Sequence, residues 1–206
     1  PKQSTEQNEN KEVAETREIT DMAGRKVTVP AAEKIESVFS SSPISAIFLY
    51  MVAPDKLLGW NYELNDIEKS IILEKYHDLP NFGMGDAINY EAVIAANPTI
   101  AVNCGKINDA MISDCDALSE SLGIPVVAVD NELKNSAEAF RFMGELLGVE
   151  DHAEELAAYA EKTFKDIAAL SDIPEDKKVR VYYGNGEDSL ETAPNGSQHA
   201  QILDAI

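Results

Sequence analysis

Apolar positions recur with two periods in this chain, and the period changes along it. From Asp151 to about Ser171 the sequence reads DHAEELAAYAEKTFKDIAALS. There Leu156, Tyr159, Ala160, Phe164, Ile167 and Ala168 follow at three- and four-residue steps, which gathers them on one helix face. Gly148 ends the helix before it. Asp151 is expected as N-cap, with Glu154 completing a capping-box-like pair. Pro174 stops the run, since proline cannot continue the hydrogen-bond ladder. A helix of about 20 residues is roughly 30 Å long, about the width of a small domain. It is either one more amphipathic helix on a single domain or a strut between two lobes.

Upstream the pattern is different. Glu18 to Pro30 offers two short β-prone runs around Ala23-Gly24, which predicts a hairpin. Strands are expected at Ile35–Ser40, Leu57–Trp60 and Pro80–Phe82. The runs TIAVN (Thr99–Asn103) and IPVVAV (Ile124–Val129) are apolar throughout, as strands covered on both faces are. Helices are expected after Pro43 through Ile44, Ile47, Phe48 and Met51, and over Asn65–Tyr76, Asn89–Ala96, Asn108–Leu122 and Asn135–Leu147. Strands alternating with helices predict an α/β fold with a mainly parallel, Rossmann-like sheet. Past the long helix, Lys178–Tyr183 (KVRVYY) predicts a new strand, and a last helix is expected near Ser197.

Composition narrows the function. The chain has 206 residues, 37 acidic against 17 basic, for a net charge of −20. That balance argues against nucleic acid, whose phosphates need Lys and Arg, and favours a cationic partner surface. No apolar run is long enough to span a membrane. The first fifteen residues are polar and charged apart from Val13 and Ala14 and cannot order themselves.

In an open parallel sheet, ligands sit beyond the carboxyl ends of the strands. The residues there are Ser41, Ser42 and Pro43; Trp60, Asn61 and Tyr62; Gly83, Met84 and Gly85; and Cys104, Gly105 and Lys106. Hydroxyls and amides at helix starts suit ligand oxygens, and Trp60 and Tyr62 suit a flat or apolar ligand surface. Nothing points to catalysis. Ser40-Ser41-Ser42 lacks the G-x-S-x-G elbow, Gly83-Met84-Gly85 lacks the third glycine of a dinucleotide fingerprint, and there is no phosphate-binding P-loop. His77, His152 and His199 lack metal-ligand spacing. Cys104 and Cys115 read as two small buried or half-buried thiols. No cofactor is expected.

The segments ITDMAGRKVTVP, KIESVFSSSPISAIFLYMVAPDKLLGW, NYEAVIAANPTIAVN, LGIPVVAVD, GVEDHAEELAAY and VRVYYGNGEDSLETAPNGS, in that order, resemble the substrate-binding proteins of iron-siderophore and cobalamin ABC importers. The resemblance runs from Arg17 to Ile206. It implies two α/β lobes joined by one long helix, with the ligand between them. It implies a tail at 1–16, a first lobe at 17–148, a connecting helix at 149–174 and the beginning of a second lobe at 175–206, so that the chain looks cut within that lobe.

The implied function is an extracytoplasmic receptor for a metal chelate, a ferric siderophore or haem foremost, with cobalamin or molybdate as alternatives. The implied partners are the chelate and ABC permease subunits, and the membrane only through an N-terminal lipid anchor on the precursor. The implied ligand wall is Ser41, Ser42, Trp60, Asn61, Met84, Cys104 and Lys106, with Tyr183 and Thr192 approaching from the second lobe. Glu91, at a short helix start, is implied to dock on permease arginines, where a carboxylate fits an Arg fork. Two readings from other classes are a nitrogenase-component-like α/β enzyme subunit, whose cluster needs bridging cysteines, and a stand-alone interaction domain.

Overall fold

The computed structural model describes residues 15–168, 170 and 173–205. The expected tail at 1–16 therefore lies almost wholly outside the described residues. Its centre is a parallel sheet of three strands, β3 (Val38–Ser40), β4 (Ile100–Gly105) and β5 (Val126–Asp130), in the order β3-β4-β5. Strands at Leu57–Trp60 and Pro80–Phe82 were expected beside it. The chain there makes single parallel bridges, Val38 to Leu57 and Trp60 to Asn81, which continue the sheet past β3 without forming strands. Gly59 makes this close pass feasible: a Cβ there would stand 2.3 Å from the Pro80 carbonyl oxygen.

The two-residue period of the strands divides their side chains between two cores. Val38, Ile100, Val102, Val127 and Val129 join one cluster with α1 (Pro43–Val52), α5 (Ser136–Leu147) and α6 (Glu150–Ala168). Phe39, Ala101, Val126 and Ala128 join the other, with Val93 of α3 (Tyr90–Ala95) and Met111, Cys115, Leu118 and Leu122 of α4 (Asp109–Leu122). Both faces of β4 are thus sealed, which explains why TIAVN carries no alternation.

The edge of β5 is closed by the hairpin of β1 (Thr16–Thr20) and β2 (Lys26–Pro30). Its turn residue Asp21 is 4% exposed and accepts from the Ala128 backbone N–H at 3.1 Å. Arg25 binds the same carboxylate, Asp116 and the Val126 carbonyl. An edge that would otherwise offer free backbone groups is covered.

The long helix α6 begins at Glu150, one residue before the expected cap. Asp151 therefore lies in its first turn, and Glu154 binds Arg141 rather than closing a capping box. The end at Ser171 lies outside the described residues. Gly148 adopts φ 69° at the end of α5, the left-handed turn that glycine takes without strain. It lets α6 fold back along α5. The two helices meet very closely, since a Cβ on Gly144 would come within 2.4 Å of the Ala153 Cβ.

The other departures concern ends and propensity. The expected helix at Asn65–Tyr76 is α2 (Asp66–Ile71), with a capping box between Asn65 and Glu68, followed by a separate 3-10 turn at Glu74–Tyr76. Lys178–Tyr183 forms no strand. Among the described residues after α6, the one β-bridge joins Asn185 to Glu191, and a 3-10 turn leads into the short helix α7 (Gln201–Asp204). Val179, Val181 and Tyr182 are 83%, 60% and 66% exposed, so the alternation of KVRVYY meets no partner strand and no core.

Candidate functional site

The strand ends converge as the topology requires, and a polar network lies beneath them. Ser42 caps α1 by accepting from the Ser45 N–H at 3.2 Å. Ser45, wholly buried, exchanges a hydrogen bond with Ser42 at 2.9 Å and accepts from the Cys104 N–H at 2.9 Å. Ser41 Oγ donates to Asn103 Oδ1 at 2.7 Å. Asn61 Nδ2 donates to the carbonyls of Ser40 and Gly83, and Asn61 Oδ1 accepts from Ser40 Oγ at 3.3 Å. Three post-strand loops and the start of α1 are thereby locked in register.

This network sorts the expected wall into surface and floor. Ser41 and Ser42 are half-buried and border a hollow of about 400 Å³ with Asn103, Ile88, Tyr90 and Asp114. Met84 is 50% exposed at the neighbouring turn. Lys106 is exposed and stands 3.8 Å from Glu132.

Trp60, by contrast, is a core residue. It is 2% exposed, its indole N–H donates to the Tyr76 carbonyl at 2.8 Å, and its ring packs against Tyr50. A tryptophan buried with its one donor satisfied presents no face to a ligand. Asn61, also 2% exposed, spends its hydrogen-bonding groups on the fold. Cys104 is 5% exposed, and burial pushes its thiol up to about 12, with the Ser45 hydrogen bond opposing. At this burial the thiol offers almost no surface to a ligand. These three lie under the wall rather than on it.

Tyr183 is half-buried and Thr192 exposed, both in the segment after α6. Glu91 is exposed in the first turn of α3, whose N-cap Asn89 accepts from the Ala92 N–H. Cys104 and Cys115 are both free. Among the described residues no group of three or more His, Cys, Asp or Glu side chains is placed to hold a metal ion, and no helix is long and apolar enough to cross a membrane.

Sequence reasoning overlooked Ser45, Asn103, Tyr90 and Asp114. Two of them left a signal. Asn103 interrupts an otherwise apolar strand just before its end, and Ser45 sits three residues after an N-cap serine in a helix that is otherwise apolar. A polar side chain in such a setting needs partners, and these two find each other's neighbours.

A larger hollow of about 710 Å³ lies to one side, between α1, α5, α6 and α7. Its lining is almost wholly apolar, with Ile44, Ile47, Met51, Phe140, Leu156 and Phe164 among the contributors. Hydroxyl and amide groups that could meet a ligand's oxygens gather at the strand ends instead.

No protein-family model matches the sequence, and no curated protein matches it. Solved structures do match. An ABC transporter solute-binding protein from Sulfurospirillum deleyianum superposes with a TM-score of 0.78 at 24% identity, over 92% of this chain and 60% of that one. The siderophore-binding protein BauB, solved with ferric iron and two acinetobactin molecules, gives 0.68 at 14% identity over 93% and 66%. The molybdate-binding protein MolA from Haemophilus influenzae gives 0.59 at 21% identity over 82% and 58%. The chain spans about 60% of the first of these, and what it shares with all three solute-, siderophore- and molybdate-binding proteins is their α/β fold.

Proposed function

We propose that this chain is the ligand-receiving first lobe, connecting helix and second-lobe beginning of an extracytoplasmic ABC-importer receptor for a metal chelate. The observation that carries the reading is the polar network at the strand ends, where Ser41 holds Asn103 and Asn61 holds Gly83, on a sheet whose fold is that of solute-binding proteins. The wall has hydroxyl, amide and ammonium partners for ligand oxygens and an apolar contact, which suits a binding role.

In this reading 17–148 is the first lobe, 149–174 the connecting helix and 175–206 the opening of the second lobe. Tyr183 and Thr192 face the chelate from there. A ferric siderophore or haem is the foremost ligand class, with cobalamin or molybdate as alternatives. A lipid anchor on the precursor would hold the receptor at the membrane.

Glu91 is the docking carboxylate. Its exposure leaves it free to meet an Arg fork on the permease, and charge pairs of this kind set orientation and encounter rate. The test is retention of ligand absorbance by the purified chain on gel filtration after mixing with a panel of chelates. Co-elution of one of them supports the reading, and the passage of all of them unretained contradicts it. In cells, Glu91→Arg is expected to abolish uptake while leaving chelate retention intact; uptake that survives overturns the docking role.

A further inference from the structure

We infer that the strand-end wall selects chelates of zero or positive overall charge and rejects polyanionic chelates and oxyanions. The inference rests on the receptor reading above and adds the charge class of its ligand.

Three observations carry it. First, the arginines of the described first lobe are committed to the fold. Arg17 holds the carbonyls of Glu145 and Leu146, Arg25 holds Asp21, Asp116 and the Val126 carbonyl, and Arg141 holds Glu154 and Glu161. The fork that recognises carboxylates, catecholates or oxyanions by paired donors is therefore not offered at the wall. Second, the lysines in the strand-end loops, Lys106 and Lys134, share one carboxylate, Glu132, at 3.8 and 3.4 Å, and Asp130 two residues before it brings the charge of this cluster to zero. Third, carboxylates border the hollow and the loops around it: Asp114 in its lining, Asp86 and Asp109 at the neighbouring turns, and Glu63 after Trp60.

The remaining polar groups of the hollow, the Ser41, Ser42, Ser121 and Tyr90 hydroxyls and the Asn103 amide, are neutral and bring no compensating charge. The whole chain carries −20, and a field of that sign slows the approach of anions and speeds that of cations. A polyanion would meet this wall unpaired and partly desolvated, which is costly.

The experiment is titration calorimetry of the full 206-residue chain at low and high salt. The probes are a singly cationic ferric trihydroxamate, a neutral ferric trihydroxamate, a trianionic ferric tris-catecholate and molybdate. The expected result is that the cationic and neutral probes bind, at least about tenfold tighter than either anion, and that the preference shrinks as salt screens the field. The charge reversals Asp86→Lys and Asp109→Lys together, with folding checked by circular dichroism, are expected to narrow the preference several-fold. Tighter binding of the tris-catecholate or of molybdate overturns the charge inference and leaves the receptor reading standing. Absence of heat with every probe overturns the charge inference for this chain, and the gel-filtration panel then decides the receptor reading. If the tris-catecholate binds and Arg180→Gln abolishes it, the segment after α6 supplies the missing fork and the wall does not decide the charge.

Discussion

The two halves of α6 carry the same kind of apolar stripe and meet different fates. In the first half, Ala153 and Ala157 are wholly buried against α5, close enough that Gly144 admits no side chain. In the second half, Tyr159 is 73% exposed, and Phe164 and Ile167 are half-buried around an open apolar hollow. Periodicity marks which face of a helix seeks cover, whereas burial needs a second surface. The first half has one in α5 and the sheet. Around the second half the described residues after α6 bring mainly α7, whose Ile202 is itself 68% exposed.

The difference is broken most severely from the closed side. Met143, wholly buried in the same cluster as Ala153 and Ala157, is expected to cost about 2–5 kcal/mol on truncation to Ala. Tyr159→Ala is expected to stay within about 0.5 kcal/mol. Chemical denaturation of both variants checks the contrast, and equal losses would mean that the second half is as well packed as the first.

Next comes the polar floor. Asn61→Ala leaves the Ser40 and Gly83 carbonyls without their donor and is expected to cost about 1–3 kcal/mol, again read by denaturation. Weakened chelate binding without a loss of stability would instead assign Asn61 to the wall.

The open side should show itself in association rather than in stability. Exposed apolar patches of this kind drive self-association, so Ile47→Glu, at 41% exposure on the hollow's rim, is expected to lower the sedimentation coefficient distribution toward monomer and to reduce binding of an apolar dye. An unchanged distribution would mean that the hollow does not drive self-association.

The smallest effect is electrostatic. Arg141 grips Glu154 and Glu161 at 2.6–2.7 Å and holds both carboxyls below the usual carboxylate range. A folded pKa below the unfolded one stabilises above the unfolded value, and that gain is lost as pH falls through the folded value. The Tm deficit of Arg141→Gln should therefore be present at neutral pH, shrink through the acidic range and vanish in strong acid. All three groups lie at the surface, where screening keeps the deficit small.

How much of this was legible in the sequence follows from the same logic. The parallel strands, the hairpin and the helices α1, α4 and α5 could be read because caps, glycines and buried runs agree locally. KVRVYY could not, because a strand pattern does not say whether a partner strand exists.

At the site, the loops were predictable from topology and the orientation of their side chains was not. Trp60 and Asn61 follow a strand-like segment as Ser41 does, yet they turn inward because the indole N–H and the amide find carbonyls there. Ser45 and Asn103 are the counterpart, polar residues inside apolar segments whose partners appear only in three dimensions.

The central claim is that the strand-end loops receive a metal chelate, and paramagnetic NMR tests it most directly. Titrating the labelled chain with a neutral ferric trihydroxamate should broaden the backbone amides of Ser41, Ser42, Met84 and Lys106 first. The indole N–H of Trp60, held beneath the wall by the Tyr76 carbonyl, should broaden later and less. Broadening centred on the apolar hollow at Ile47, Tyr159 and Phe164, or none at saturating chelate, would contradict the account.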